Sequence, residues 1–452
     1  MEKIYGFRRD KAVYTCGKGW IIIRTASKQD VIQAQHGGKT VILDIRPIDA
    51  YNGWKFSNEK RGGHIRKARS FPLKWFRYID FIDILKSMNI KTSDDIIIYG
   101  GSSEECEKAA KILDKTGFQK VRIYTGFKDE WAADAALPMD RLERYSNLVY
   151  AAWLRSLLDT GNAPEYSGRK YVLCHCHYRN HRDYEKGHIP GALSVDTNTL
   201  ESPETWNIRK PEELKKTLEN LGITRDTTVI VYGRFSFPDN DDPFPGSSAG
   251  HLGAIRSALI MMYAGVKDVR ILNGGMQSWE DSGYKTETKP SHPRPAADFG
   301  ADIPGRPDII INTPRAKEYI KDKDKNLVSV RSYDEFIGKV SGYNYISKKG
   351  RIPGAVFGNC GSDAYHMENY RNLDHTMKEF HETAAMLKNA GISPDKHNAF
   401  YCGTGWRASE AFFNAWLMGW PNISVYDGGW FEWSSDPLNP YETGVPEDAA
   451  AG

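Results

Sequence analysis

A threefold internal repeat constrains this chain more than any other feature of its sequence. Three landmarks recur in the same order. The first is an opening run that leads to an arginine: Val41–Arg46, Cys176–Arg179 and Leu327–Arg331. The second is an apolar run that ends in tyrosine: Ile96–Tyr99, Val229–Tyr232 and Ala399–Tyr401. The third is a glycine turn with a tryptophan five residues on: Gly126 to Trp131, Gly274 to Trp279 and Gly428 to Trp433. Spacing tests the pattern. Arg46 stands as far from Tyr99 as Arg179 does from Tyr232, and Tyr99 as far from Trp131 as Tyr401 from Trp433. The second unit carries fifteen extra residues after Tyr232, and the third seventeen before Tyr401. A chain built this way folds as three copies of one unit.

Within each unit, short Val/Ile-rich runs alternate with amphipathic stretches such as Glu104–Lys115, Pro211–Leu221 and Ala408–Met418. Alternation of this kind predicts an α/β architecture, with a parallel sheet flanked by helices in each repeat. The Pro/Gly-rich segment from Ser291 to Pro307 marks one linker, and a less distinct boundary falls near Pro138–Leu148. The expected domains are therefore 1–148, 149–295 and 296–452. With 452 residues, two to four domains are in any case the prior.

In a parallel sheet, ligands bind where strand C-termini meet helix N-termini, so the tyrosine-ending runs mark where to look for chemistry. Gly100-Gly101-Ser102-Ser103 follows the first tyrosine and Gly233-Arg234-Phe235-Ser236 the second. Only the third is followed by a nucleophile, in Cys402-Gly403-Thr404-Gly405-Trp406-Arg407. Gly403 and Gly405 let successive N–H groups converge on one point. The helix that follows adds the positive end of its dipole, and Arg407 adds a full charge. All three favour the thiolate. A free thiol of pKa roughly 8.5 is only about 3% ionised at neutral pH, and a value near ~6.5 would make it mostly thiolate.

These residues resemble the rhodanese superfamily, and the resemblance covers essentially the whole chain as three tandem rhodanese-like domains. Gly187-His188-Ile189-Pro190-Gly191-Ala192 matches a family motif, echoed at Gly350–Ala355 and more faintly at Gly63-His64-Ile65. Asn273-Gly274-Gly275 and Asp427-Gly428-Gly429 look like its closing turn, and Cys402–Arg407 like its active-site loop. The plan is similar to that of bacterial three-domain thiosulfate sulfurtransferases in which only the last domain is catalytic. The resemblance implies that Cys402 takes sulfane sulfur from thiosulfate as a persulfide and passes it to cyanide or a thiol. Arg407 would pair with the donor's sulfonate, and the amides of Gly403, Thr404, Gly405 and Trp406 would stabilise charge around sulfur. Arg331 is a further substrate-binding candidate, with a structural ion pair as its alternative. Gly403 and Thr404, where thiosulfate enzymes carry basic residues, bring in 3-mercaptopyruvate as an alternative donor.

Two other functions compete. A Cdc25-like phosphatase would need five residues between cysteine and arginine; here there are four, which suits sulfur. A persulfide relay would exchange sulfur with a cysteine desulfurase or an acceptor protein of sulfur-cofactor biosynthesis. No cofactor or metal is called for: Cys174-His175-Cys176-His177 reads as a strand whose side chains alternate and cannot converge on one ion. Cys16-Gly17-Lys18-Gly19-Trp20 copies the catalytic loop but precedes an apolar run, which makes it a decoy. The stretch Pro238–Pro245 is expected to pack between domains or dock a partner. A net charge of only +3 argues against nucleic acid, and no apolar run approaches the ~20 residues a membrane span needs. Six cysteines and no apolar leader suggest a cytoplasmic protein, or a periplasmic one if a signal peptide has been removed.

Overall fold

The computed structural model describes residues 11–446 except 17–18, 38, 180 and 236–248, so the Pro238–Pro245 stretch lies outside the described residues. Three mainly parallel sheets share one strand order. In the third repeat that order is Ile310–Ile311, Ile423–Tyr426, His397–Tyr401, Lys325–Ser329 and Val356–Phe357, all parallel. The second repeat repeats it with Leu148–Val149, Asp268–Leu272, Thr228–Tyr232, Tyr171–His177 and Leu193–Asp196. The first repeat has the same central order and adds an antiparallel hairpin, Lys11–Cys16 with Gly19–Thr25, at one edge. Cys16 pairs with Gly19 in that hairpin, with a strand rather than a helix behind it. No described helix is long and apolar enough to cross a membrane.

The central strands are nearly continuous apolar runs because both faces are covered, and Ile96, Ile97 and Ile98 are all fully buried. The landmark residues hold corresponding parts of each repeat. Tyr99 accepts a hydrogen bond from the Ile65 amide at 3.1 Å, and Tyr232 from Ile189 at 2.9 Å. Each tyrosine thereby pins the glycine-led motif to its sheet. His64 stacks on Tyr51 and His188 on Tyr184, with ring centroids 3.6 and 3.7 Å apart. In the third repeat, Arg351 replaces the histidine and lies over Phe336 at 4.9 Å. The buried indoles of Trp131, Trp279 and Trp433 each donate to a carbonyl a few residues on: Pro138, Lys285 and Pro440.

The sheet registers qualify one spacing argument. Tyr99 is paired with Asp44 and Tyr401 with Ser329, so Arg46 and Arg331 stand two residues beyond their pairs. Tyr232 is paired with His175, which puts His177 at the corresponding place. Arg179 lies two residues farther on, past the end of its strand. The equal sequence separation is therefore not an equal position in the sheet.

Compactness divides the chain after Tyr145. The second and third repeats form one unit. The long helices Gly250–Ala264 and Trp406–Leu417 pack against each other there, and buried polar groups join them to the surrounding turns. Arg256 donates to Glu201 at 3.0 Å and to Asp427 at 2.6 Å, with its own side chain fully buried.

Candidate functional site

The strand His397–Tyr401 runs directly into Cys402, and the helix Trp406–Leu417 starts four residues later. This strand-to-helix reversal depends on its glycines. Gly405 caps the helix at φ +95°, a conformation that favours glycine, and its amide donates to Cys402 Sγ at 3.2 Å. A Cβ on Gly403 would stand 2.2 Å from the Tyr343 ring. Below the loop, the carbonyls of Cys402 and Gly403 accept the amides of Trp430 at 2.7 Å and Phe431 at 3.0 Å. Gly429, at φ +53°, makes that approach possible, since a Cβ there would fall 2.6 Å from the Gly403 carbonyl. The closing Asp-Gly-Gly turn thus forms the floor of the cysteine loop. Cys402 itself is only 1% exposed.

Arg407, expected to offer its charge to a sulfonate, is already paired. Its two terminal nitrogens meet Glu335 at 2.8 and 2.9 Å, and it also donates to Tyr343 Oη at 2.8 Å and to Cys360 Sγ at 3.2 Å. Burial works to raise the Glu335 carboxyl, yet the charges of Arg407 and Arg331 hold it down at about 2. Arg407 keeps a place on the cavity wall, but as half of an ion pair. Arg331 does not reach the cavity. It is fully buried and donates to Glu335 at 3.2 Å, Gly350 O at 2.7 Å and Ser341 O at 3.2 Å. As an arginine two residues beyond its strand it points into the fold, where Arg46 of the first repeat similarly meets Asp44 and Glu59.

Beside the loop opens a cavity of about 260 Å³. Thr404, Trp406 and Arg407 form one side, and Tyr343, Tyr345 and Tyr365 another. Tyr178, Arg179, Trp206 and Leu252, all from the second repeat, close it. Six aromatic rings face this space. Trp206 stacks on Tyr345 at 4.6 Å, Tyr343 leans on Tyr345 at 5.1 Å, and Tyr178 meets Trp406 edge-on at 5.3 Å. Trp406 is held from the second repeat, its indole donating to Glu201 at 2.7 Å. Burial pushes the Glu201 carboxyl up to about 7 against the pull of Arg256. Burial likewise keeps the Tyr343 phenol protonated, well above the ordinary tyrosine value.

Sequence reasoning assembled Cys402 to Arg407, which the fold brings together as one turn. It missed Glu335, Tyr343, Tyr345, Trp206 and Glu201. A signal existed for some of these: Tyr343 and Tyr345 lie in the long interval between Arg331 and Tyr401, where the third repeat has its seventeen extra residues. The Cys174–His177 run is a strand, with its cysteines and histidines on opposite faces; burial pushes the Cys176 thiol up to about 12.

Comparison with known proteins agrees with this architecture. The rhodanese-like domain model matches residues 27–134, 151–282 and 313–436. Thiosulfate sulfurtransferase YnjE of Escherichia coli (strain K12) is 38% identical over 419 residues, covering 92% of this chain and 91% of that protein. A crystal structure of the anaerobic ergothioneine biosynthesis enzyme from Chlorobium limicola, in complex with its natural substrate trimethyl histidine, is 54% identical. It superposes with a TM-score of 0.92 over 94% of this chain and 100% of that one. A structure of EanB, a tyrosine variant with a cysteine persulfide in a tetrahedral intermediate state with ergothioneine, is equally similar at 54% identity and a TM-score of 0.92. Three family matches along one chain, each on a sheet of the same strand order, make this protein a member of the rhodanese family of sulfurtransferases.

Proposed function

We propose that this sulfurtransferase passes sulfane sulfur from a Cys402 persulfide to the imidazole ring of a trimethylated histidine. One observation carries the reading: the cavity beside the loop that carries Cys402 is lined by six aromatic residues. Cyanide and small thiols need no such enclosure. A quaternary ammonium does, because it cannot donate hydrogen bonds and is held by ring faces. The similarity to an enzyme solved with trimethyl histidine supports the same acceptor.

The first half-reaction is the one the loop suggests. Cys402 thiolate attacks the outer sulfur of thiosulfate; the S–S bond of the donor breaks, sulfite leaves, and Cys402 holds a persulfide. The likeness to a thiosulfate sulfurtransferase supports this donor. In the second half-reaction the carbon between the two ring nitrogens bonds to the terminal sulfur, and the Cys–S–S bond breaks. Cys402 recovers its thiolate and the ring carbon is oxidised by two electrons. The proton from that carbon ends on the thione product. The Tyr343 hydroxyl, protonated and hydrogen-bonded by Arg407, relays that proton: it gives its own to a ring nitrogen and is restored by the one leaving the carbon, so no net proton is consumed.

The test is a single-turnover assay. Protein preloaded with thiosulfate is mixed with trimethylhistidine, histidine or cyanide, and each acceptor is weighed by mass spectrometry. A gain of about 32 Da, one sulfur atom, is expected on trimethylhistidine and not on histidine. Discharge to cyanide with trimethylhistidine unchanged would return the protein to a thiosulfate:cyanide reading.

A further inference from the structure

Arg179 is set apart from the arginines at the corresponding ends of the other two repeats. Arg46 and Arg331 stand two residues beyond the strand position paired with the landmark tyrosine, and both are buried in ion pairs. In the second repeat His177 has that position, 2% exposed and bonded to Ser194 at 2.8 Å. Arg179, two residues farther on, has left the sheet. Its backbone takes φ +58°, an uncommon conformation for a residue with a side chain. Asp196 holds that turn, accepting the Arg179 amide at 3.2 Å and the Asn198 amide at 3.0 Å. The adjacent carboxylate thus caps backbone and does not pair with the guanidinium.

Arg179 is one of the residues that line the cavity. Its described contacts are the face of Tyr178, 5.0 Å away, and a long approach to the Pro203 carbonyl at 3.5 Å. No described carboxylate pairs with it. By contrast Arg407, on the same wall, is paired with Glu335. The cavity therefore combines rings suited to a quaternary ammonium with a guanidinium that meets no carboxylate among the described residues.

We infer that Arg179 binds the carboxylate of the acceptor, so that the site selects an amino-acid betaine and not merely a methylated imidazole. This rests on the reading above and refines it. The rings hold the ammonium, Arg179 the carboxylate, and the imidazole is left to face Cys402. A guanidinium matches a carboxylate in two parallel bonds, which fixes orientation as well as charge. The specificity group thus comes from a repeat that has no nucleophile of its own after its tyrosine.

Isothermal titration of the full chain carrying Cys402→Ser tests this with two ligands, trimethylhistidine and its decarboxylated analogue trimethylhistamine. The parent protein is expected to prefer the carboxylate-bearing ligand by roughly ten- to a hundredfold. Arg179→Ala should bring the two affinities together by weakening only trimethylhistidine, while Arg179→Lys retains part of the preference. Because Arg179 is exposed, neither substitution should alter the melting temperature. A preference that persists in Arg179→Ala overturns the carboxylate assignment while leaving the acceptor class intact. A parent protein that binds neither ligand overturns both.

Discussion

The second and third repeats share a sheet order and a buried strand-ending tyrosine, yet they diverge at the residue that follows. After Tyr401 comes a thiol, cradled by a left-handed glycine and the start of a twelve-residue helix. After Tyr232 comes Gly233, pressed so closely on Gly250 that a Cβ would lie 2.2 Å from its carbonyl, and then Arg234, paired with Glu280 at 2.9 Å. The described start of the second loop, Gly233 and Arg234, is a packing joint. Its repeat acts on the site by another route, supplying Tyr178, Arg179, Trp206 and Leu252 to the cavity and Glu201 to the indole of Trp406. A repeat with no cysteine after its tyrosine thus walls the cavity beside the loop that has one.

The sharpest way to break this division is Cys402→Ser. Sulfur transfer should fall by roughly three orders of magnitude or more, and the persulfide mass of about +32 Da should vanish. Residual labelling that still turned over would place a second carrier elsewhere.

Glu335→Gln comes next. It leaves Arg407 and Arg331 buried without their shared anion, a loss of about 3–5 kcal/mol by denaturant titration. The pH dependence has a definite sign. Glu335 is held below its ordinary value of 4.5, at about 2, so its stabilisation is present above pH 4.5 and is lost as pH falls towards 2. The gap in melting temperature between wild type and Glu335→Gln should narrow over that window. A constant gap would mean that the pair does not titrate as drawn.

Trp206→Ala probes the wall contributed by the second repeat. Loss of one ring around an ammonium is worth about 0.5–2 kcal/mol, so KM for trimethylhistidine should rise by roughly two- to thirtyfold. An unchanged KM would remove the second repeat from acceptor binding. The smallest effect belongs to Cys16→Ser. Cys16 ends a strand of an antiparallel hairpin, and sulfur transfer should remain at the wild-type rate.

The cysteine loop was legible in the sequence because everything that shapes it is contiguous. A strand, two glycines, an arginine and a helix follow one another from His397 to Leu417, and local geometry alone brings them together. The repeat was legible for a similar reason, since Trp131, Trp279 and Trp433 bond to carbonyls only a few residues away. The equal spacing of Arg46–Tyr99 and Arg179–Tyr232 misled, because sequence distance does not record strand register.

What the sequence determined by itself, then, was the α/β repeat and the strand-to-helix turn that carries Cys402. Tertiary structure decided which charges and surfaces that sulfur meets. Glu335 pairs with Arg407 from 72 positions away, and Glu201 reaches Trp406 across 205. Such pairings leave no periodic trace, because burial and charge balance act through space, and the chain between the partners is free to vary.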